Sequence, residues 1–152
     1  MKVPHDAVVL VADGRKALML RNEGDAAAVS LQVEHHEERA NPADRDQASD
    51  LAGRSASVRT AGANWAAGGN VENTDFHQQG EDRFAAETAA MLNERALRQD
   101  FESLIIIAAP RTLGELRKHY HSEVSSRLTA EIGKDLTGHT VPQIEKLLAE
   151  AD

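Results

Sequence analysis

The sequence predicts an α/β chain: a mixed β-sheet of about five strands with helices packed on it. Three observations predict it. Residues 7–12 (Ala-Val-Val-Leu-Val-Ala) and 104–109 (Leu-Ile-Ile-Ile-Ala-Ala) are apolar throughout and of strand length. Residues 27–34 alternate apolar and polar, the period of a half-buried strand. Two later segments, beginning at Glu81 and Val141, place apolar residues on one helical face.

Taken in order, residues 7–12 lead into Asp13-Gly14, a pair favoured in type I′ hairpins because both central residues need positive φ. Residues 15–21 return as the second strand. The turn Asn22-Glu23-Gly24-Asp25 leads to residues 27–34, where Val29, Leu31 and Val33 share a face and complete a three-stranded antiparallel meander. From Glu37 to Gly80 no period persists, and Gly, Ala, Asn, Asp, Ser and Arg dominate. Residues 37–80 therefore read as a flexible polar insertion within one domain spanning 1–152.

Order returns at Glu81. Phe84, Thr88, Met91, Leu92 and Arg95 line one face of a helix whose acidic start and basic end suit its dipole. The run at 104–109 has no polar face, so it reads as a central strand, covered on both sides and parallel to a neighbour. Pro110 ends it. Thr112-Leu113-Gly114-Glu115 fits a capping box with Thr112 as N-cap. Gly114 inside that box costs about 1 kcal/mol of helix propensity, which points to close approach of another backbone or to a helix start that tolerates it. Residues 127–133 alternate, with Leu128, Ala130 and Ile132 on one face. Thr140-Val141-Pro142-Gln143 makes a second capping box, before a helix striped by Ile144, Leu147, Leu148 and Ala151. The order is βββ, insertion, αβαβα.

Composition narrows the function. A formal net charge of −8 opposes broad attraction to phosphate backbones, and 3% aromatics leave few platforms for stacked bases. With no cysteine there are no disulfides or thiolate metal sites. The N-terminus has no apolar signal core, and no apolar run approaches the ~18 residues that cross a bilayer. The expectation is a cytoplasmic protein with no membrane partner, no cofactor and no complete catalytic or metal site.

Several strings resemble the bacterial host-attachment protein family (protein required for attachment to host cells). They are Val11-Ala12-Asp13-Gly14-Arg15, Asp50-Leu51-Ala52-Gly53-Arg54-Ser55, Arg83-Phe84-Ala85, Ala108-Ala109-Pro110-Arg111-Thr112-Leu113-Gly114-Glu115-Leu116-Arg117 and Glu131-Ile132-Gly133-Lys134-Asp135-Leu136-Thr137. That family is similar to the middle domain of archaeal and eukaryotic class-1 release factors and of pelota. The resemblance implies an RNase H-like or ribosomal-protein-like sheet and an association with ribosomal RNA or a translation protein. Release factors carry a Gly-Gly-Gln loop before a long helix. Here Gly68-Gly69-Asn70 and Gln78-Gln79-Gly80 stand in that region, and neither is the motif.

Candidate binding residues follow from chemistry. Arg54, with Asp50 and Gly53, forms an arginine loop that suits RNA phosphate or another anion; a solvated linker is the alternative. His77, Gln78, Gln79, Glu81 and Arg83 surround a helix start, where an anion docks or local side chains cap. Lys134 and Asp135 close the last strand, as a binding pair or a solvated one. A second reading is an RNase H-like metal-dependent phosphodiester hydrolase, which requires Asp13, Glu87, Glu131 and Asp135 to converge; Asp13 is otherwise explained by its turn. Direct surface adhesion is a third. The pairs His35-His36 and His119/His121 diverge on a strand or helix, so they read as solvated or capping residues.

Overall fold

The computed structural model describes residues 1–39 and 78–151. Its elements are β1 (Val8–Ala12), β2 (Lys16–Asn22), β3 (Leu31–Glu38), α1 (78–97), β4 (Leu104–Ala108), α2 (Pro110–Arg117), α3 (Ser122–Arg127), β5 (Leu128–Ile132) and α4 (Val141–Glu150). The five strands form one mixed sheet in the order β3-β2-β1-β4-β5. Strands β1 and β4 pair in parallel from Val8↔Leu104 to Ala12↔Ala108, and β4 pairs in parallel with β5. The meander β1-β2-β3 is antiparallel throughout.

The two apolar runs occupy the centre because only there is each face covered. All five residues of β1 and all five of β4 are buried. Their side chains alternate between two cores. Val8, Leu10, Leu104 and Ile106 meet Phe84, Ala85, Ala89 and Leu92 of α1, Leu113 and Leu116 of α2 and Val124 of α3. Val9, Val11, Ile105 and Ile107 meet Ile144 and Leu148 of α4, with Val3 and Leu136. The second capping box is present as expected: Thr140 Oγ1 accepts from Gln143 N, and the Gln143 side chain accepts from Thr140 N.

Local geometry departs from the sequence reading in several places. The meander's third strand begins at Leu31, because Asp25 builds a turn first. Its Oδ1 accepts Ala27 N and Ala28 N at 2.9 and 2.8 Å. Gly24 is required there, since a Cβ would lie 2.0 Å from the Ala28 carbonyl oxygen. The strand then runs on through Glu37 and Glu38, and residues 78–80 are already helical, so both ends of the expected 37–80 segment are ordered structure. Its polar residues sit there because β3 is an edge strand with little to bury against. Thr112 is not an N-cap. Ala109 holds that position, Pro110 supplies the first turn, and no side chain caps α2. Around Gly114 an added Cβ would meet nothing within 4 Å, so no backbone among the described residues approaches it. Helix α3 was not expected; His121 caps it, its Nδ1 accepting Glu123 N at 3.0 Å. A register shift at the start of β5 sends Leu128 to the α1 side of the sheet, opposite Ala130 and Ile132.

Two polar features tie the meander down. Asn22 is fully buried: its Nδ2 donates to the Val3 and Pro4 carbonyls at 2.9 and 3.1 Å, and its Oδ1 accepts Gly24 N and Ser30 N at 2.9 Å each. The bulge between Met19 and Leu20 turns Glu34 towards α1. Glu34 there accepts from Arg21 and, at 2.9 Å, from Arg95 Nη2. Partial burial raises the Glu34 pKa, but hydrogen bonds and charge from Arg21 and Arg95 outweigh it and hold the carboxyl below its ordinary range.

Gly114→Ala should raise stability by about 0.5–1 kcal/mol, a gain of a few degrees in Tm by calorimetry, because the new methyl meets open space in a helix interior. Asn22→Ala should cost about 2–4 kcal/mol in urea unfolding, since it strands buried backbone donors and acceptors. For Glu34→Gln the loss should be about 1 kcal/mol or less, the group being partly solvated. A depressed carboxylate stabilises the fold above its unfolded value near 4.5. The gap between wild type and variant should therefore be full at neutral pH and close as pH falls through 4.5 and below. A gap that persists at pH 3 would show that the charge is not its source.

Candidate functional site

Strands β1, β4 and β5 run the same way, so their carboxyl ends share one edge of the sheet. Strand β3 also ends there, because Lys16 at the start of β2 pairs with Glu38. In this edge lies a crevice of about 240 Å³ lined by Asp13, Arg15, Glu81, Arg111, Thr112 and Asp135, among others. In open α/β sheets ligands bind outside the carboxyl ends of the strands, where the strand order reverses. Here that point is between β1 and β4, with β2 on one side and β5 on the other.

The crevice is built from turn chemistry. Asp13 Oδ1 accepts Arg15 N and Lys16 N, both at 2.7 Å, and closes the β1–β2 turn. No described glycine has positive φ, so this turn is not type I′: the aspartate side chain shapes it instead. Gly14 is there for another reason. A Cβ would lie 2.6 Å from the Glu81 carboxyl carbon, so α1 comes in against bare backbone. The Thr137 hydroxyl lies 2.7 Å from Asp13 Oδ2 and 2.8 Å from Asp135 Oδ1. Across the crevice, α2 begins directly at the end of β4.

The same edge holds both points where residues 40–77 join the described body. Arg39 N donates to the Arg15 carbonyl at 2.8 Å, and Arg39 Nη2 donates to Glu87 Oε2 of α1 at 2.6 Å. The guanidinium carbon also stands 5.9 Å from the centre of the Phe84 ring. The end of β3 is thereby held beside the start of α1.

Of the ten residues singled out by sequence, the structure brings Glu81 and Asp135 into the crevice. Lys134 flanks it, exposed and without a side-chain partner among the described residues. Gln78 donates to Asp82 Oδ1 at 2.5 Å, a local helical contact, while Gln79 and Arg83 are exposed. Asp50, Gly53, Arg54 and His77 lie outside the described residues. Sequence reading missed Thr112 as a crevice residue, having assigned it a capping role, and missed Arg111 and Thr137 altogether. Their signals were the place of Arg111 and Thr112 just after the apolar strand β4 and the presence of all three in the strings that carry the family resemblance.

The four carboxylates of the hydrolase reading do not converge. Asp13 and Asp135 share Thr137, but Glu87 pairs with Arg39. Glu131 pairs with Arg117 at 3.1 Å and accepts the Tyr120 hydroxyl at 3.3 Å. Burial, with the Glu131 charge added, drives the Tyr120 pKa well above its ordinary value, which keeps that hydrogen bond in place. Among the described residues no group of three or more His, Asp or Glu is placed to hold a metal ion.

A larger hollow of about 510 Å³ lies at the opposite end of the sheet, lined by His5, Asp6, Arg21, Gln99 and Asp100 among others. Its arginine is committed. Arg21 donates to the Asp6 and Asp100 carbonyls at 3.1 and 3.0 Å. The positive φ of Asp6 and Gln99 belongs to a tight turn and a helix end, closed by Ala7 N to Pro4 O and Asp100 N to Arg95 O. The smaller crevice is the better site because it lies at the carboxyl ends of the parallel strands and its Arg111 has no ion pair among the described residues.

No helix among the described residues is long and apolar enough to cross a membrane. A search of curated proteins found no match for this chain. A family model does match, over residues 6–148, and its description agrees with the release-factor likeness of the sequence strings. The chain belongs to bacterial archaeo-eukaryotic release factor family 12.

Proposed function

We propose that the chain is a translation-related binding module that associates with the ribosome and engages ribosomal RNA through its carboxyl-end edge. The observation that carries this reading is the shared edge itself: the crevice, the start of α1 and both attachment points of residues 40–77 lie together. Family membership supplies the link to translation.

Charge supports a local contact. Lys16, Arg83, Arg111 and Lys134 stand on or beside this edge, and their side chains make no hydrogen bond or ion pair among the described residues. Most arginines elsewhere are committed, as Arg21 and Arg95 are to Glu34, Arg117 to Glu131 and Arg127 to Glu123, while Lys2 and Lys146 stand singly on other parts of the surface. Four uncommitted cations on an acidic protein suit a few phosphate contacts at a defined place, not a coating of RNA. Gln78, Gln79, Glu81, Arg83, Lys134 and Asp135 belong to this proposed surface, and so do Asp50, Gly53, Arg54 and His77 in the segment rooted on it. The protein works in the cytoplasm on this reading, and any role in attachment to host cells is indirect.

Sucrose-gradient fractionation tests the proposal. Part of the wild-type protein should travel with a ribosomal subunit at low salt and leave it as salt rises, with a shallow dependence that reflects few phosphates. The double variant Arg83→Glu, Lys134→Glu should reduce that fraction by about fivefold or more while its melting temperature stays unchanged, both side chains being exposed. A wholly free pool in growing and starved cells would remove the ribosome from the account. Association that survives both salt and the variant would indicate a protein partner instead.

A further inference from the structure

The crevice leaves specific hydrogen-bonding groups unmatched. Among the described residues helix α2 has no side-chain cap, and the N–H groups of Arg111 and Thr112 have no acceptor. The Thr112 hydroxyl has no partner either, although the residue is only 8% exposed. A buried hydroxyl without a partner is costly. This one is not sealed away, because the only fully enclosed side-chain atom lacking a partner among the described residues is Arg127 Nε. It therefore opens to the crevice that Thr112 lines. The Arg111 guanidinium, exposed and unpaired among the described residues, adds a fourth donor. Two amides, a hydroxyl and a guanidinium at a helix N-terminus make the donor set of an oxyanion site.

The other wall has the opposite need. Asp13, Glu81 and Asp135 would repel a bare phosphate, yet they are acceptors with a shortage of donors. The Thr137 hydroxyl carries one proton and touches two carboxylates, at 2.7 and 2.8 Å. Thr137 N also donates to Asp135 Oδ1, at 3.1 Å, which leaves the hydroxyl proton for Asp13 Oδ2; Asp135 Oδ2 has no donor among the described residues. A ligand that satisfies both walls needs an anionic group beside hydroxyl donors.

We infer that the crevice binds a ribose phosphate, with the phosphate on the start of α2 and the sugar hydroxyls on Asp13 and Asp135. The inference rests on the RNA reading above and names the chemical unit recognised. A 2′-hydroxyl on a carboxylate also separates RNA from DNA. The unit comes from an RNA backbone, with a free nucleotide as the competing source.

Amide NMR shifts of the full chain provide the test, with uridine 5′-monophosphate, its 2′-deoxy analogue, inorganic phosphate and hexauridylate as probes. The ribonucleotide should move the amides of Gly14, Arg111 and Thr112. The deoxy analogue and inorganic phosphate should bind at least about fivefold more weakly. Thr112→Val and Arg111→Ala should each weaken the ribonucleotide by about fivefold or more. Thr112→Val should melt no lower than wild type, since its hydroxyl holds nothing in the folded protein. Tighter binding of hexauridylate than of the mononucleotide supports the RNA backbone as source; the reverse order overturns that source. Unmoved amides, equal affinity for phosphate and ribonucleotide, undiminished binding by Thr112→Val, or a lower melting temperature for that variant would each overturn the site. Ribosome association without ribonucleotide binding refutes the crevice alone, and ribonucleotide binding without ribosome association refutes only the translation role.

Discussion

Parallel pairing of β1 with β4 is the constraint on which the rest of the molecule depends. Both strands are buried along their whole length, so every backbone group between them must find its partner in the ladder. Their apolar side chains then require cover on both faces, which α1, α2 and α3 supply on one side and α4 on the other. Because the pairing is parallel and in register, Ala12 and Ala108 end side by side. Whatever follows each strand is forced to be a neighbour: the Asp13 turn and the uncapped start of α2.

The body is not equally robust everywhere. Small residues of α1 (Ala85, Ala89 and Ala96) are buried against the sheet and let the helix lie close. That closeness requires a bare backbone at Gly14, where Glu81 packs. At the other end of the same helix, Arg95 joins Glu34 and Asp100, so α1 is fixed to the meander at both ends. The clamp of Arg39 on Phe84 and Glu87 then sets the spacing at which residues 40–77 leave and return.

How much of this was legible in the sequence depended on whether a signal was local. The uniformly apolar run at 104–109 could be placed at the sheet centre because no other environment suits it, while the run at 7–12 was read only as the first strand of the meander. The Thr140 capping box was readable because its residues recognise one another. Strand β3 was misplaced because an edge strand's pattern is set by its neighbours, and His35 to Glu38 carry no apolar period. The α2 cap was misread because Thr112 and Glu115 match a capping box in spacing, while Pro110 had already fixed the first turn one residue after the strand. All three carboxylates of the crevice were flagged, Glu81 and Asp135 as binding residues and Asp13 in the hydrolase reading. That they face Arg111 and Thr112 follows only from the parallel register, which no local string encodes.

The register of β1 on β4 also shapes the order in which the chain can assemble. Val8 pairs with Leu104, so 96 residues separate the two partners. At roughly 5–20 residues per second, β1 emerges during synthesis about 5–20 s before its partner exists. The hairpin with β2 forms from contacts close in sequence and fills one side of β1 at once. Its other side, five apolar residues long, waits with open N–H and C=O groups, the kind of edge that recruits foreign strands. Early life of this chain is thus a race between its own later half and any other strand within reach.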